Sequence, residues 1–526
     1  MAMVKDNRTK SDFEKNEDGR TILGTAKDIA KWIELGFEEQ EKGKSSLDRI
    51  QESFIDLRNC DLFISYPIGS KDVKSTIFNF CDIAGIIPYT RKDESPNNEY
   101  FYVVDKDIYF DNSILRGGFF HYVWFKGDIR LNKTEISTCS FFKCKIDGNV
   151  WIIASVFDDL TVTNSYFSKI FYISRSIVNS LNFSFDNCEF GQYVEIYDSK
   201  ITISGKEKHG KRLTFYHCKF HDKVHFSHLI LNGNPLKFED CALNGFSAEK
   251  VNWEDSLIYI NKSSINGISL FSGSEKNKSI ISELYIWSST IKGQLYIENY
   301  KIHKITINFS EFESSSRMRL YLNNISTLKI RENTIHGRFD VEHCNILEID
   351  CGGSFCTGTM NFDQNQYKTL ANLATIRLLK EQAKKSNDTI AYLKLYSKEV
   401  DAYEKGLPWK NPDKAMLRLN KMSNNYGQSW VRGIIFTLLI VFIGLTLINI
   451  FGRSFGIPSI DLSNKGLQNL ISDYISILNV FNIMKFGQES LNLNGYGLLV
   501  CFLARIFILY GGYQTIVAFR RLNQNK

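Results

Sequence analysis

Arg505 is the side chain in this sequence that places the strongest chemical demand on its surroundings. It lies near the middle of an apolar segment, 495–519, that is long enough to cross the hydrocarbon core of a bilayer. A charge at that depth is costly and usually faces protein or a water-filled cavity, so Arg505 is a candidate functional residue. The alternative is a span shifted toward the C-terminus, with Arg505 reaching an interface. Gly511 and Gly512 would permit close helix approach, and Gln514 adds a polar group.

A second nearly unbroken apolar segment, 431–452, predicts another transmembrane helix. Between the two, residues 466–487 predict an apolar helix that is too short for an independent span and would lie at the interface or re-enter the membrane. Span, short helix, loop and span is the layout of a two-helix channel pore. Tyr474, Phe486 and Gly487 are then pore candidates, although they match no potassium filter. Two spans alone cannot enclose an aqueous path, so a pore requires a homo-oligomer.

Other residues capable of chemistry show no convincing arrangement. Four histidines, together with Cys218 and Asp222, fall within about one turn of the repeat described below, but their spacing matches no zinc motif. Solvent-facing histidines are the favoured interpretation of this group, which comprises His217, His221, His225 and His228. No local signature of paired carboxylates, a catalytic triad or a phosphate loop is present. We therefore predict no catalytic residue, no metal, no cofactor and no enzymatic activity.

The segment from Phe110 to Ile346 repeats a six-residue unit. The unit is an apolar residue, two others, a small or thiol residue, one other and a second apolar residue, as in Phe141 to Ile146. Its early copies start alternately 10 and 11 residues apart, so two copies take 21 residues. A fixed period near that length indicates a solenoid. The β-branched, helix-poor composition predicts a parallel β-helix in which like residues stack on like.

Two copies of this unit, Phe185 to Phe190 and Phe238 to Leu243, resemble degenerate pentapeptide repeats. The resemblance implies a right-handed, four-sided β-helix. The layout from Phe110 onward is similar to that of bacterial pentapeptide-repeat membrane proteins that end in an ion-channel-like pair of helices. Membrane effectors of related layout act in antiphage defence, so the resemblance extends to that function by analogy.

The pattern divides the chain into five parts, with the fold class mainly β. We predict a disordered tail at 1–20, an N-terminal α+β cap or docking region at 21–108, the β-helix at 109–364, a helical hairpin at 366–407 and a membrane region at 408–526. Within the N-terminal region the spacing predicts helix over 25–57 with a break at 43–46, strands near 62–64 and 100–104, and a possible helix at 73–83. Asn387 or Asp388 would cap the second helix of the hairpin.

Composition and charge indicate a compartment. The chain has 11 cysteines, most of them at the small position of the repeat, which suits core packing in a reducing environment. The net charge of +6 argues against an acidic DNA-mimic surface, and no nucleic acid is expected. Lys and Arg flank the outer ends of the two apolar segments, so the positive-inside rule places both termini in the cytoplasm of a multi-pass inner-membrane protein.

Three functions remain open at this point. In the first, the β-helix is a sensor or scaffold coupled to an oligomeric, channel-like or membrane-perturbing pore. In the second, the helices only tether a protein-interaction scaffold to the membrane. In the third, the β-helix acts enzymatically on a polymer. The expected partners are the lipid bilayer, further copies of the chain and an unknown protein bound through the β-helix or the N-terminal region.

Overall fold

The structure is a computed structural model of residues 1–526. It describes 8–62 with gaps at 16, 18, 24–25, 42–54 and 59; 78–79; 90–94; 100–448 with gaps at 116–117, 180–182, 202–212, 232–234, 254–255, 272–278 and 363–365; and 450, 468, 474–475 and 494–523. The chain divides into two compact units, Met1–Thr375 and Ile376–Lys526. The first is a β-solenoid of about 11 turns, and the second is helical.

Two parallel sheets build the solenoid. Eighteen described strands form the first sheet: Thr21–Leu23, Cys60–Leu62, Phe78–Asn79, Ile114–Leu115, Gly118–His121, Glu135–Phe142, Val156–Thr163, Ile177–Val178, Phe183–Asp186, Lys200–Ile201, Leu213–Tyr216, Leu236–Glu239, Ser256–Asn261, Ile280–Trp287, Lys301–Asn308, Asn324–Arg331, Asn345–Asp350 and Gln366–Leu370.

Twenty-four described strands form the second sheet: Ile55–Asp56, Thr90–Glu94, Tyr100–Val104, Ile108–Tyr109, Val123–Phe125, Ile129–Asn132, Lys145–Ile146, Val150–Ile153, Tyr166–Phe167, Phe171–Ser174, Glu189–Phe190, Val194–Tyr197, Lys219–Phe220, Val224–Ser227, Ala242–Leu243, Phe246–Glu249, Ser264–Phe271, Thr290–Glu298, Glu311–Phe312, Arg317–Tyr321, Thr334–Ile335, Arg338–Glu342, Phe355–Cys356 and Thr359–Asn361. One pairing between these strands, Thr90–Glu94 with Tyr100–Val104, is antiparallel.

Like residues stack along the solenoid, as the repeat predicts. Phe141 pairs in register with Phe120 before it and Val162 after it. The same inward ladder continues through Phe185, Phe215, Phe238, Ile260, Ile286, Ile307 and Ile330. Adjacent Phe185 and Phe215 rings stack with centroids 4.9 Å apart, which is the spacing of neighbouring strands. The parallel β-helix prediction is confirmed.

The corners of the coils explain the spacing of the unit. The third residue of each unit, directly before the small residue, adopts left-handed backbone geometry; Ala154, for example, has φ 50°. Twenty non-glycine residues between Asn112 and His343 do so, and none of them is β-branched. A β-branched side chain would meet the greatest steric penalty there, because its second γ substituent crowds the backbone.

The small residue after each corner joins neighbouring coils by hydrogen bonds. Ser155 Oγ accepts from Thr134 N at 3.1 Å and donates to Ile153 O at 2.9 Å. Where asparagine occupies this position, its side-chain amide both accepts and donates a hydrogen bond. Asn333 Oδ1 accepts from Ser310 N at 2.8 Å, and Nδ2 donates to Ile307 O at 2.6 Å. The small polar residue therefore satisfies backbone groups that the corner removes from the strand ladder.

Cysteine replaces serine at several of these positions. Cys144 N donates to Ser165 Oγ at 3.0 Å, and Cys144 Sγ lies 3.0 Å from Phe120 O. Cys188, Cys218 and Cys241 occupy the position in three consecutive coils. All ten described cysteines are buried and free of disulfides, so they pack as small side chains.

The N-terminal region departs from the sequence-based expectations at residues 10–12, 55–56 and 78–79, and Ile55–Asp56 is a strand where the helix over 25–57 was predicted. Residues 10–12 form a 3₁₀ helix within the segment predicted to be disordered. Helix α1, Ala26–Glu41, is present as predicted, whereas 42–54 lies outside the described residues. Phe78–Asn79 is a strand paired with Gly118–Phe119, so the possible helix over 73–83 is wrong at these two residues. Of the predicted strand at 62–64, the structure describes only residue 62, while the strand at 100–104 is present.

The solenoid is also longer than 109–364. Ile55–Asp56 pairs in parallel with Ile108–Tyr109, and Cys60–Leu62 continues toward Ile114–Leu115. At the other end Gln366–Leu370 pairs with Asn345–Ile349, although the sequence pattern placed these residues in the helical hairpin. Strand pairing thus extends beyond the expected bounds, 109 and 364, to Thr21–Leu23 at one end and Gln366–Leu370 at the other.

In the described part of the chain, five helices of 13 residues or more follow the solenoid: α2, Leu373–Lys385; α3, Thr389–Gly406; α4, Pro412–Asn424; α5, Trp430–Leu447; and α6, Gly495–Asn523. Asp388 caps α3 by accepting from Ala391 N, as predicted. Glu399 of α3 accepts from Arg377 Nε of α2 at 2.9 Å, which ties the hairpin together. Helix α4 was not predicted. Asn411 caps it, Pro412 begins it and Asn425, with φ 52°, ends it.

A buried carboxylate closes the last coil. Asp350 accepts hydrogen bonds from Arg331 Nε at 2.6 Å, Asn372 Nδ2 at 2.9 Å and Gly352 N at 3.1 Å. Burial alone would raise the pKa of Asp350, but these hydrogen bonds outweigh it and hold the pKa below its ordinary value of 3.8. The ionised carboxylate therefore stabilises the end of the solenoid.

We predict that Ser155→Ala lowers the free energy of unfolding by about 1–3 kcal/mol, because Thr134 N–H loses its buried acceptor. Ser269→Ala is the matched control: Ser269 is exposed on a strand of the same solenoid, and we expect a change within about 0.5 kcal/mol. Urea unfolding followed by circular dichroism measures both. Equal losses in the two variants would show that the buried hydroxyl contributes nothing specific.

Asp350→Asn should destabilise the solenoid at neutral pH and should lose part of its pH dependence. Because the pKa of Asp350 is lowered on folding, its contribution is fully present above the unfolded pKa, near 3.8, and disappears as pH falls through the folded pKa. The difference in urea midpoint between the wild type and the Asp350→Asn variant should shrink below about pH 4. Asp158→Asn, at an exposed position, should show no such trend. A difference that stays constant down to about pH 2.5, well below the ordinary carboxyl pKa, would contradict this role.

Candidate functional site

Helices α5 and α6 have the length and composition of membrane spans. The qualifying segments are Trp430–Leu447 and Gly495–Arg521, with mean hydropathies of 2.2 and 1.6. Large apolar side chains on their outer surfaces are exposed, including Ile435, Leu439, Phe442, Leu499, Phe502, Leu509 and Ile516. A soluble core helix would bury such residues against other elements, so this surface calls for an apolar environment.

The two helices pack antiparallel through a reciprocal glycine–threonine contact. A Cβ on Gly433 would lie 2.3 Å from Thr515 Oγ1, and a Cβ on Gly511 would lie 2.3 Å from Thr437 Oγ1. Each threonine donates to the glycine carbonyl one turn before it, at 2.9 Å for Thr437 and 2.8 Å for Thr515. The hydroxyls are thus satisfied within their own helices. Glycine permits the close approach that the opposite threonine requires.

Arg505 lies on the packed face of α6. Its side chain is 9% exposed, and its helical neighbours Cys501 and Ile508 belong to a buried cluster with Val441, Leu445 and Ile448. At 1.5 Å per residue, Arg505 is about 15 Å from Gly495 and about 22 Å from Arg520. The guanidinium is therefore deep in the helix pair and does not extend to a helix end. This burial agrees with the first of the two alternatives for Arg505, in which its side chain faces protein and does not extend to an interface.

Tyr474 contacts the middle of the first apolar helix. Its hydroxyl donates to Leu438 O at 2.8 Å, and its ring packs against the cluster around Val441. Leu438 is eight residues from Trp430, or about 12 Å along α5. Tyr474 and Ile475 are helical, but most of 466–487 lies outside the described residues, as do Phe486 and Gly487. The contact therefore holds Tyr474 beside the middle of α5.

Gln514 belongs to a polar junction where α4 meets the apolar helices. Asn424, which is 1% exposed, donates from Nδ2 to Gln514 Oε1 at 2.5 Å and to Gln514 O at 3.2 Å. Its Oδ1 accepts from Gly427 N at 2.8 Å. One buried amide therefore holds both the turn after α4 and the last part of α6. Leaving any of these groups unsatisfied would cost about 1–3 kcal/mol.

The same turn is joined to α3 and to the end of α6. Gln428 Nε2 donates to Leu393 O of α3 at 2.5 Å, and Arg521 Nη1 donates to Tyr426 O at 3.3 Å. The Arg521 guanidinium also lies 5.7 Å from the centroid of the Tyr396 ring of α3. A displacement of the α2–α3 hairpin would therefore be transmitted to the start of α5 and the end of α6.

The predicted site residues fall into three groups. Arg505, Tyr474, Gly511 and Gln514 all contact or face the α5–α6 pair, whereas a Cβ on Gly512 would meet nothing within 4 Å. The third group, Phe486 and Gly487, lies outside the described residues. The contact residues that the sequence did not reveal are Asn424, Gly433, Thr437, Thr515 and Arg521. A glycine followed four residues later by threonine in both apolar segments was the available signal.

The solenoid histidines pair with carboxylates of adjacent coils. His217 lies 3.2 Å from Asp186 and 3.7 Å from Asp240, and His221 lies 2.6 Å from Glu189. Their partners are distributed along different coils, as alternating strand faces require. Among the residues that the structure describes, no group of three or more potential ligands could hold a metal ion.

The outside of the solenoid carries an aromatic array. Tyr259 and Tyr285 stack at 4.8 Å between centroids, Tyr285 and Trp287 at 5.7 Å, and Trp287 meets Phe309 at 4.6 Å. Phe309 is 49% exposed. Lys237 lies beside this array, 5.4 Å from the Tyr259 ring centroid. Aromatic surface of this kind is characteristic of interaction sites, because it combines apolar area with low side-chain entropy.

Comparison with protein-family models, curated protein sequences and solved structures gave no match for this chain. The solenoid and the two apolar helices rest on the structure itself. The resemblance to pentapeptide-repeat proteins and to ion channels stays a prediction.

We predict that Gly511→Val separates the apolar helices and Gly512→Val does not. A side chain at 511 would overlap Thr437, whereas 512 faces open space. Overpacking of this kind costs about 1–3 kcal/mol, and a substitution into open space changes stability by less than about 0.5 kcal/mol. Thermal unfolding of the detergent-purified full chain compares the two. A similar fall in midpoint for both would exclude the reciprocal glycine–threonine contact.

Proposed function

We propose that this chain is an inner-membrane protein in which the helical unit, assembled from several copies, forms a channel-like or membrane-perturbing pore. The observation that carries the proposal is Arg505, a charged side chain buried deep within two helices whose outer surfaces are apolar. Keeping arginine at the centre of a transmembrane helix costs about 2.5–3.5 kcal/mol on insertion scales. Helices that served only as a membrane tether would not require a buried arginine.

Two further contacts support a pore over a plain anchor. Tyr474 reaches the middle of α5 from the intervening segment, which is the place of a re-entrant element. The junction of Asn424, Gln428 and Arg521 connects hairpin α2–α3 to the apolar helices, so movement of the hairpin would reach them. In this proposal the solenoid is the sensor or scaffold, and the junction transmits its state. Because two helices cannot surround water alone, the active form is a homo-oligomer.

A membrane-tethered interaction scaffold is the second candidate function. The aromatic array of Tyr259, Tyr285, Trp287 and Phe309 favours it, since it offers a protein partner a broad apolar face. The two functions respond to different substitutions. Arg505→Leu should affect only a pore, and Phe309→Ser should affect only partner binding by the solenoid.

Conductance of the full-length protein in planar bilayers tests the proposed pore. We expect discrete currents from the wild type and their loss in Arg505→Leu. This substitution removes the buried charge and fills its place with an apolar side chain. Arg520→Leu is the matched control, because Arg520 is exposed near the end of the same helix; its currents should equal those of the wild type. Absence of wild-type currents, or identical currents in Arg505→Leu, would favour the scaffold.

A further inference from the structure

We propose that α4 lies along the surface of an anionic membrane, with its exposed apolar side chains inserted among the lipid headgroups. The inference rests on the proposed membrane insertion of α5 and α6. It assigns a separate lipid-binding surface to a helix that precedes both of them.

The apolar face of α4 is exposed to an unusual degree. Met416 is 59% exposed and Met422 is 68% exposed, and exposed Ala415 and half-buried Leu419 share their face at helical spacing. Trp409, just before the helix, is 77% exposed. A short helix with large apolar residues on its outer side and a buried polar residue, Asn424, facing the protein has the pattern of an interfacial helix.

Basic residues follow one edge of this apolar face. Lys414, Arg418 and Lys421 are spaced by four and three residues, so they align on one side of α4. Their own contacts hold them near the helix: Lys414 Nζ donates to Leu407 O, Arg418 pairs with Glu404 and Lys421 pairs with Asp401. Between residues 401 and 432 there are six basic and three acidic side chains, so the surface stays positive after these pairings. Anionic lipid is the complementary partner.

The position of α4 suits the same partner. Asn424 at its end is bonded to Gln514, and α5 begins six residues later with exposed Trp430 and Val431. Tryptophan is enriched where transmembrane helices enter the headgroup region. With α5 starting at that level, α4 lies directly before the point at which the helix pair would enter the headgroup region. A second copy of the chain could cover the same face, and the experiment separates that outcome.

Site-specific fluorescence tests the proposal. Single cysteines are placed at Met416, at exposed Lys405 on α3 and at Leu439 on the outside of α5, in a Cys81→Ser background, and labelled with an environment-sensitive dye. The full-length protein is reconstituted at low protein-to-lipid ratio into phosphatidylcholine vesicles with or without phosphatidylglycerol, each with and without lipids carrying a quencher near the headgroup. Met416 should be quenched roughly twofold more than Lys405, as expected for a face buried about 5–10 Å in the interface. Anionic lipid should increase that difference.

The three positions give separable results. Quenching at Leu439 but equal, low quenching at Met416 and Lys405 would overturn the α4 assignment and leave the membrane proposal intact. No quenching at Leu439 would contradict insertion of α5, whatever α4 does. Protection of Met416 that rises with protein-to-lipid ratio and is independent of the quencher would identify a second copy as the occupant and overturn the lipid assignment.

Discussion

The left-handed corner is the constraint on which the solenoid depends. Each corner turns the chain out of one strand and removes backbone groups from the regular ladder. At most corners the residue that follows is therefore small and buried, and it accepts a hydrogen bond from an N–H of the coil before, as Ser155 does from Thr134. The exceptions among the described corners are Val123, Leu229, Val251 and Tyr300. This requirement fixes the three-residue spacing from the first apolar residue to the small one, and it places the next apolar residue inside again. Serine, cysteine and asparagine alternate at the position because each meets the same geometric need.

The packing of the solenoid follows from this constraint. Corners spaced by 10 or 11 residues bring the same position of every second unit into register, so Phe120 and Phe141, 21 residues apart, stack at the distance of adjacent strands. Buried cysteines cost little in such a ladder, since a thiol fits where a hydroxyl does. The ladder ends at Asp350, whose carboxylate accepts from several donors, including Asn372 directly before α2. The outer residues are left free to vary, which is why an aromatic array occurs on some coils and charged pairs on others.

The sequence predicted the parts of the fold that repeat and missed those that do not. The ladder from Phe120 to Ile330 and the cap of α3 at Asp388 follow from local patterns. Ile55–Asp56 and Phe78–Asn79 are too short to show a period, so their place in the solenoid depends on partners distant in the chain. For the candidate site, Arg505, Gly511 and Gln514 were found by residue type alone. Thr437 and Asn424 were not, because the register between two helices is set by packing that no single segment contains.

Two kinds of contact then define the helical unit. Close glycine–threonine packing holds α5 against α6, and the polar junction around Asn424 holds both to α3 and α4. Arg505 differs from the other residues of the helix pair, because it is a charged residue buried on the packed face of α6. The apolar outer surface and this buried arginine are the two observations on which the proposed pore rests.

The central claim, that α5 and α6 cross a membrane, is tested most directly by labelling from the two sides. Lys405→Cys and Gly495→Cys lie at exposed positions before α5 and at the start of α6. Spanning predicts that a membrane-impermeant maleimide labels the cysteine at 495 in intact cells and the cysteine at 405 only after permeabilisation. Labelling of both only after permeabilisation would contradict the membrane-spanning arrangement.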